Sequence, residues 1–182
     1  DRPFSVGIPS ALYLAEELEL WNRFFAELGI QTVTSEQYRG AVASGKERAG
    51  AEFCAPMAAL YGHVHHLLEK ADYVFLPFYF ETKSEMPDTR RHFCYYSQFA
   101  PAVVSCSEDP SMRTKLLQPQ VQGLPGNIQI KLSLYRELSK IPGFSPGLLA
   151  VSSAYDRALE AYEAYRKKLR DMFAHAFRSE EH

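Results

Sequence analysis

Apolar residues in this chain recur at two periods. Leu14, Leu18, Trp21, Phe25 and Leu28 follow one another at steps of three and four, which makes one face of an amphipathic helix. Gly29 is the natural stop of that helix. Ahead of it, "PFSVGIPS" (3–10) is a short apolar run ending in proline and serine, read as a first strand feeding the helix. Behind it, "IQTVT" (30–34) reads as a second strand, and Ser35 as the cap of a short helix ending near Gly45. In "AEFCAPMAALYGHVHH" (51–66), Pro56 suits a first helical turn, where a missing N–H costs nothing. Met57, Leu60, Tyr61, Val64, Leu67 and Leu68 form the apolar stripe of that helix. "DYVFLPFYF" (72–80) is almost continuously apolar, with aromatic and β-branched content. It predicts a strand buried on both faces, hence a parallel sheet.

The polar stretch 81–93 reads as a loop. Cys94 opens a helix over "YYSQFAPAVVS" that is expected to break at Pro101. "TKLLQPQV" (114–121) predicts another strand, and 127–140 an amphipathic helix capped by Asn127. "IPGFSPG" is a turn. A long helix then runs from about Leu148 to Phe177, with Leu159, Tyr162, Leu169, Met172, Phe173 and Phe177 at helical spacing. The order strand, helix, strand, helix, helix, strand predicts a Rossmann-like three-layer α/β domain with a mostly parallel sheet and a long C-terminal helix. One domain is expected over residues 1–182. The start at Asp1 and the end in a still helical pattern lead us to expect a domain excised from a longer multidomain chain. "SVGIPS" lacks the G-x-G-x-x-G pattern, so a dinucleotide site has no support.

Composition narrows the classes. A net charge of -2 leaves no electrostatic footprint for nucleic acid. No apolar run approaches the ~20 residues that span a bilayer, and no secretory signal is visible. Three widely spaced cysteines do not make a disulfide framework. A cytoplasmic, reducing compartment is expected, in which free thiols are candidates for metal binding or catalysis.

Cys54 and Cys94 share a local setting: each lies in a polar or irregular stretch directly before a predicted helix. The positive end of a helix dipole favours thiolate, the form that binds iron or zinc. In parallel α/β folds the loops at the carboxyl ends of the strands gather at one edge, where ligands bind. Two thiols there make a soft-metal pair. The competing reading is two packed thiols, since cysteine is among the most buried residue types. No C-x-x-C is present. Cys106, after an apolar run, reads as a small buried residue. A zinc site of Cys54, His63 and His66 meets a geometric obstacle, because His63 lies about 13 Å along the helix axis from Cys54. Cysteine-protease chemistry needs a base and an orienting group that no pattern here supplies. Arg90, Arg91 and His92 bring positive charge near Cys94, either to stabilise thiolate, to bind a substrate phosphate or carboxylate, or simply as an exposed basic loop.

Several blocks resemble one family. They are "SVGIPSALYLAEELELWNRFFAELGIQTVTS", then Cys54-Ala-Pro56 with Gly62-His63 and "LLEKADYVFLP", then "CYYSQFAP", "KLLQPQV" and "AYDRALEAYEAYRKKLR". Together they resemble the acyl-CoA dehydratase activase-related family, a domain of unknown function (DUF2229), similar to the large subunits of 2-hydroxyacyl-CoA dehydratases and to CoA-substrate-specific enzyme activases. The resemblance implies low-potential electron transfer in an anaerobe, with Cys54 and Cys94 as ligands of a [4Fe–4S] cluster. It also implies an ATP-hydrolysing activase domain, in the same chain or a partner protein, and an acceptor such as an acyl-CoA. No catalytic residue is assigned, and the fragment is expected to be inactive alone, as part of a larger ATP-dependent reductase, activase or dehydratase-like enzyme. Tyr95 stands where the family carries proline after its second cysteine, and a cubane generally takes four thiolates. Both departures motivate the alternative, a docking or regulatory module with a degenerate site.

Overall fold

The structure is a computed structural model that describes residues 4–50, 52–82, 91–121 and 128–179. β1 (Ser5–Ile8), β2 (Gln31–Thr34), β3 (Tyr73–Phe75) and β7 (Leu116–Leu117) form a wholly parallel sheet in the order β2-β1-β3-β7. The chain leaves β1 for β2 on one side and then crosses to β3 on the other. The sequence order therefore reverses between β1 and β3.

Helices cover both faces. α1 (Tyr13–Glu16) and α2 (Leu18–Glu27) connect β1 to β2; α2 packs on α8 (Leu148–Ser179), which also meets α7 (Ile128–Leu138). On the opposite face lie α3 (Ala41–Arg48), α4 (Ala55–Leu68) and α5 (Tyr95–Ser107), followed by the short α6 (Pro110–Arg113). The alternation of strand side chains sets this division. Gly7 faces α4, where a Cβ would stand 3.0 Å from that of Leu67. Phe75 faces the other way, its ring 4.8 Å from Trp21 and 5.2 Å from Phe25. The predicted three-layer α/β architecture, mostly parallel sheet and long last helix are all present. Met57, Leu60, Tyr61, Val64, Leu67 and Leu68 are all buried, as their spacing in α4 requires.

Three features of the first helices differ from the sequence reading. The first helix bends at Glu17 (φ -101°, ψ 13°) into α1 and α2, because the Glu17 carboxyl turns inward to Tyr79 and Trp21. Its end is as expected. Gly29, at φ +72°, donates to Ala26 O while Ile30 donates to Phe25 O, the paired bonds of a Schellman cap. Ser35 does not cap α3: its Oγ accepts from the Ser10 amide at 2.9 Å, and Gly40 precedes the helix. Gly45 lies inside α3, not at its end, since only glycine fits there. A Cβ on Gly45 would fall 1.7 Å from Ala58 O, and one on Gly62 2.0 Å from Ala41 O.

The runs 72–80 and 114–121 each bend at a proline. Beyond Pro77 and Pro119, β4 (Phe78–Tyr79) pairs in parallel with β8 (Gln120–Val121) as a second small sheet. The register is kept across both bends: Val74, Leu76, Phe78 and Phe80 amides donate in turn to Lys115, Leu117, Pro119 and Val121 carbonyls. Pro77 lies past the pairing with β1, and Pro119 is on the edge run, so neither missing N–H breaks a ladder. Pro101, expected to interrupt its helix, lies inside continuous α5. It is buried between Ala100 and Val104, and its carbonyl accepts from Gln118 Nε2 at 2.8 Å, so packing outweighs the lost helical bond. Part of the polar 81–93 stretch is a hairpin, β5 (Glu81–Thr82) against β6 (Arg91–His92). Residues 83–90, Asn127 and the side chain of Phe177 lie outside what is described. In α8, Leu159 and Tyr162 are buried, whereas Met172 and Phe173 are exposed, because the helix outruns α2 and α7. No helix among the described residues is long and apolar enough to cross a membrane.

Candidate functional site

α4 and α5 run antiparallel to the strands they lead into, so both begin at the carboxyl edge of the sheet. Cys54 and Cys94 are the residues immediately before them, and both are exposed. Each has extended backbone, with φ/ψ of -59°/153° and -51°/141°, and neither sulfur caps its helix. Pro56 in the first turn of α4 removes one amide donor there.

Aromatic contacts join the two loops. Phe53, before Cys54, meets Tyr96, two residues past Cys94, edge-on at 5.9 Å. Phe93, before Cys94, packs on Tyr13 at 3.9 Å and Tyr79 at 5.9 Å. Cys94 therefore sits above the reversal between β1 and β3, the place where open α/β sheets bind ligands. A small cavity of about 20 Å³ lies beneath, walled by Leu12, Tyr13, Leu76, Tyr79, Ser97 and Pro101 among others. Leu12, at the turn from β1 into α1, has φ +51°, a left-handed conformation that side chains rarely adopt. The Tyr13 hydroxyl is held in its neutral form by burial first, then by the charges of Glu16 and Cys94.

The other sequence candidates fall elsewhere. Cys106 is exposed rather than buried, because Val104, two residues before it, takes the core-facing position of that turn of α5. It lies 12 positions along α5 from Cys94, about 18 Å at 1.5 Å per residue, and does not join the pair. His63 is buried against Tyr38, and His66 stacks on the Tyr38 ring at 4.0 Å. Burial, then the neighbouring His66, lowers the His63 pKa and keeps the ring neutral. His65 approaches Glu69 and Glu108. No group of three His, Cys, Asp or Glu side chains suited to a metal exists among the described residues, so no Cys54–His63–His66 zinc site is assembled there. Arg90 lies outside the described residues, and of Arg91 and His92 only the backbone is described.

The sequence profile of the CoA enzyme activase uncharacterised domain (DUF2229) matches residues 5–181. The chain belongs to this family. It has no match among curated proteins or solved structures. The DUF2229 match takes in both cysteine loops and the whole parallel sheet.

The sequence reading missed a polar cluster inside this DUF2229 domain. Tyr79 Oη donates to Glu17 Oε2 at 2.6 Å, and Trp21 Nε1 lies 2.9 Å from Tyr79 Oη and 3.2 Å from Glu17 Oε2. Burial pushes the Glu17 carboxyl up to about 7 against the opposing pull of these two donors. The signal was present: Glu17 lies four residues before Trp21, on the apolar face of the helical pattern, where a carboxylate is costly unless hydrogen-bonded.

Proposed function

We propose that this domain serves electron transfer in a CoA enzyme activase system, with Cys54 and Cys94 as thiolate ligands of an iron–sulfur cluster. The observation that carries the reading is the pair itself: two exposed thiols, each directly preceding a helix that starts at the carboxyl edge. Their loops are joined through Phe53 and Tyr96. The donor chemistry fits a soft metal. Two thiolates are half the set that a [4Fe–4S] cluster takes. A bound cluster supplies a one-electron store. The chain's own residues contribute the two sulfurs and the contact of Phe53 with Tyr96 that joins the two segments. ATP hydrolysis belongs to an activase domain elsewhere in the same protein or in a partner, and an acyl-CoA is the class of acceptor.

The second reading is a docking or regulatory module, favoured by one observation: no third His, Cys, Asp or Glu among the described residues joins the two thiols as a metal site. Anaerobic reconstitution separates the two. Iron, acid-labile sulfide and the visible spectrum are measured for wild type, Cys54→Ser, Cys94→Ser and Cys106→Ser. Stoichiometric cluster that is lost in the first two variants and kept in the third supports the redox reading. Thiols that take up no iron overturn it and leave the docking module.

A further inference from the structure

The bend between α1 and α2 directs Glu17 away from solvent onto a strand that enters the fold 62 positions later. Its Oε2 accepts from both Tyr79 Oη and Trp21 Nε1. No lysine, arginine or histidine forms an ion pair with it among the described residues; Arg166 of α8 reaches it only at longer range and lies 5.8 Å over the Tyr162 ring. The remaining surroundings are Glu16 beside it and Tyr155 and Tyr162 of α8. Tyr155 Oη is buried with no hydrogen-bond partner among the described residues. A partly buried carboxylate with two neutral donors and no cation in contact is held at a cost in desolvation.

We propose that Glu17, Tyr79 and Trp21 form a proton-binding site beneath the carboxyl edge, with Glu17 taking up and releasing one proton. In the anionic state Tyr79 and Trp21 hold the charge and tie the α1–α2 bend to β4. In the neutral state the carboxyl becomes a donor as well as an acceptor, and the charge under the edge falls by one. Tyr79 also walls the cavity of about 20 Å³, which has room for one water. Ser97, on the first turn after Cys94, lines the same cavity. Negative charge gathered at that edge favours the protonated state, and positive charge there favours the anion. The raised pKa of Glu17, with burial as its first cause and Tyr79 and Trp21 opposing, agrees with this geometry.

Trp21 is the chain's single tryptophan, and its indole N–H is part of the site, so its emission reports the proton directly. The test follows Trp21 emission and the carboxyl carbons of ¹³C-glutamate in the 182-residue chain from about pH 5 to 9. We expect one carboxyl to titrate with a midpoint near 7 and the emission to move with it. Both changes vanish in Glu17→Gln. The midpoint rises in Tyr79→Phe, which removes a donor to the anion. An emission change that persists unaltered in Glu17→Gln belongs to the histidines and overturns the proposal. So does a carboxyl spectrum in which no glutamate titrates above about 6. If Glu17→Gln does not fold, the wild-type carboxyl spectrum decides alone.

Discussion

Tyr79 Oη lies 2.6 Å from Glu17, tying strand β4 to the bend between α1 and α2. Burial raises the Glu17 pKa from 4.5 to about 7 in the folded chain. The native state therefore binds this proton more tightly than the unfolded state. The contribution to stability is complete below the unfolded value and is lost as pH rises through about 7. The loss is at most roughly 3 kcal/mol, since solvent reaches part of the carboxyl. Chemical denaturation at a series of pH values should show this decline in wild type and a flatter profile in Glu17→Gln. A wild-type curve that rises over the same interval would contradict it.

Tyr79→Phe removes the donor to that carboxyl and leaves the ring in place. A hydrogen bond to a charged group contributes about 1.5–3 kcal/mol. The variant should lose stability of that order above about pH 8, where Glu17 is ionised, and less at acid pH. Urea midpoints at the two pH values measure the difference; equal losses would mean that the bond does not depend on the charge.

Gly62 and Gly45 let α3 and α4 cross with backbone against backbone. Added Cβ atoms would stand 2.0 Å and 1.7 Å from carbonyl oxygens of the facing helix. Those atoms are backbone, so a helix must move. Gly62→Ala and Gly45→Ala should each cost about 1–3 kcal/mol or more, read as a fall in Tm. Unchanged Tm in both would mean that the crossing is looser than it is here.

Gly29→Ala isolates backbone strain. Nothing lies within 4 Å of the position a Cβ would take, and φ is +72°. The expected loss is about 1 kcal/mol, with Gly29→Asn milder because asparagine tolerates the left-handed region. Equal stability of alanine and asparagine variants would count against the cap.

All three cysteines are exposed, so a thiol reagent should modify three per chain without denaturant. A thiol that reacts only after unfolding would place Cys106 back in the core, where the apolar run before it suggested it belonged.

The strands of the main sheet, the buried stripe of α4, the glycine stop at 29 and the long last helix were legible because each rests on local periodicity or backbone conformation. So was the placement of Cys54 and Cys94 directly before helices, since Pro56 and the polar runs before each cysteine are local signals. Pro101, Pro77 and Pro119 misled in opposite directions. Local rules break a helix at proline, yet buried neighbours and Gln118 keep α5 whole. A continuous apolar run reads as one strand, yet each proline bends its strand into a second sheet.

By itself, then, the sequence determined the α/β class, the element order and the chemistry available at positions 54 and 94, because side-chain periodicity is a property of neighbours along the chain. Tertiary structure alone decided that Phe53 meets Tyr96, that Cys106 lies apart and that Glu17 finds Tyr79. These depend on strand order and helix crossing, which bring together residues 43 to 62 positions apart. The packing of a whole layer sets such distances, and no local pattern records it.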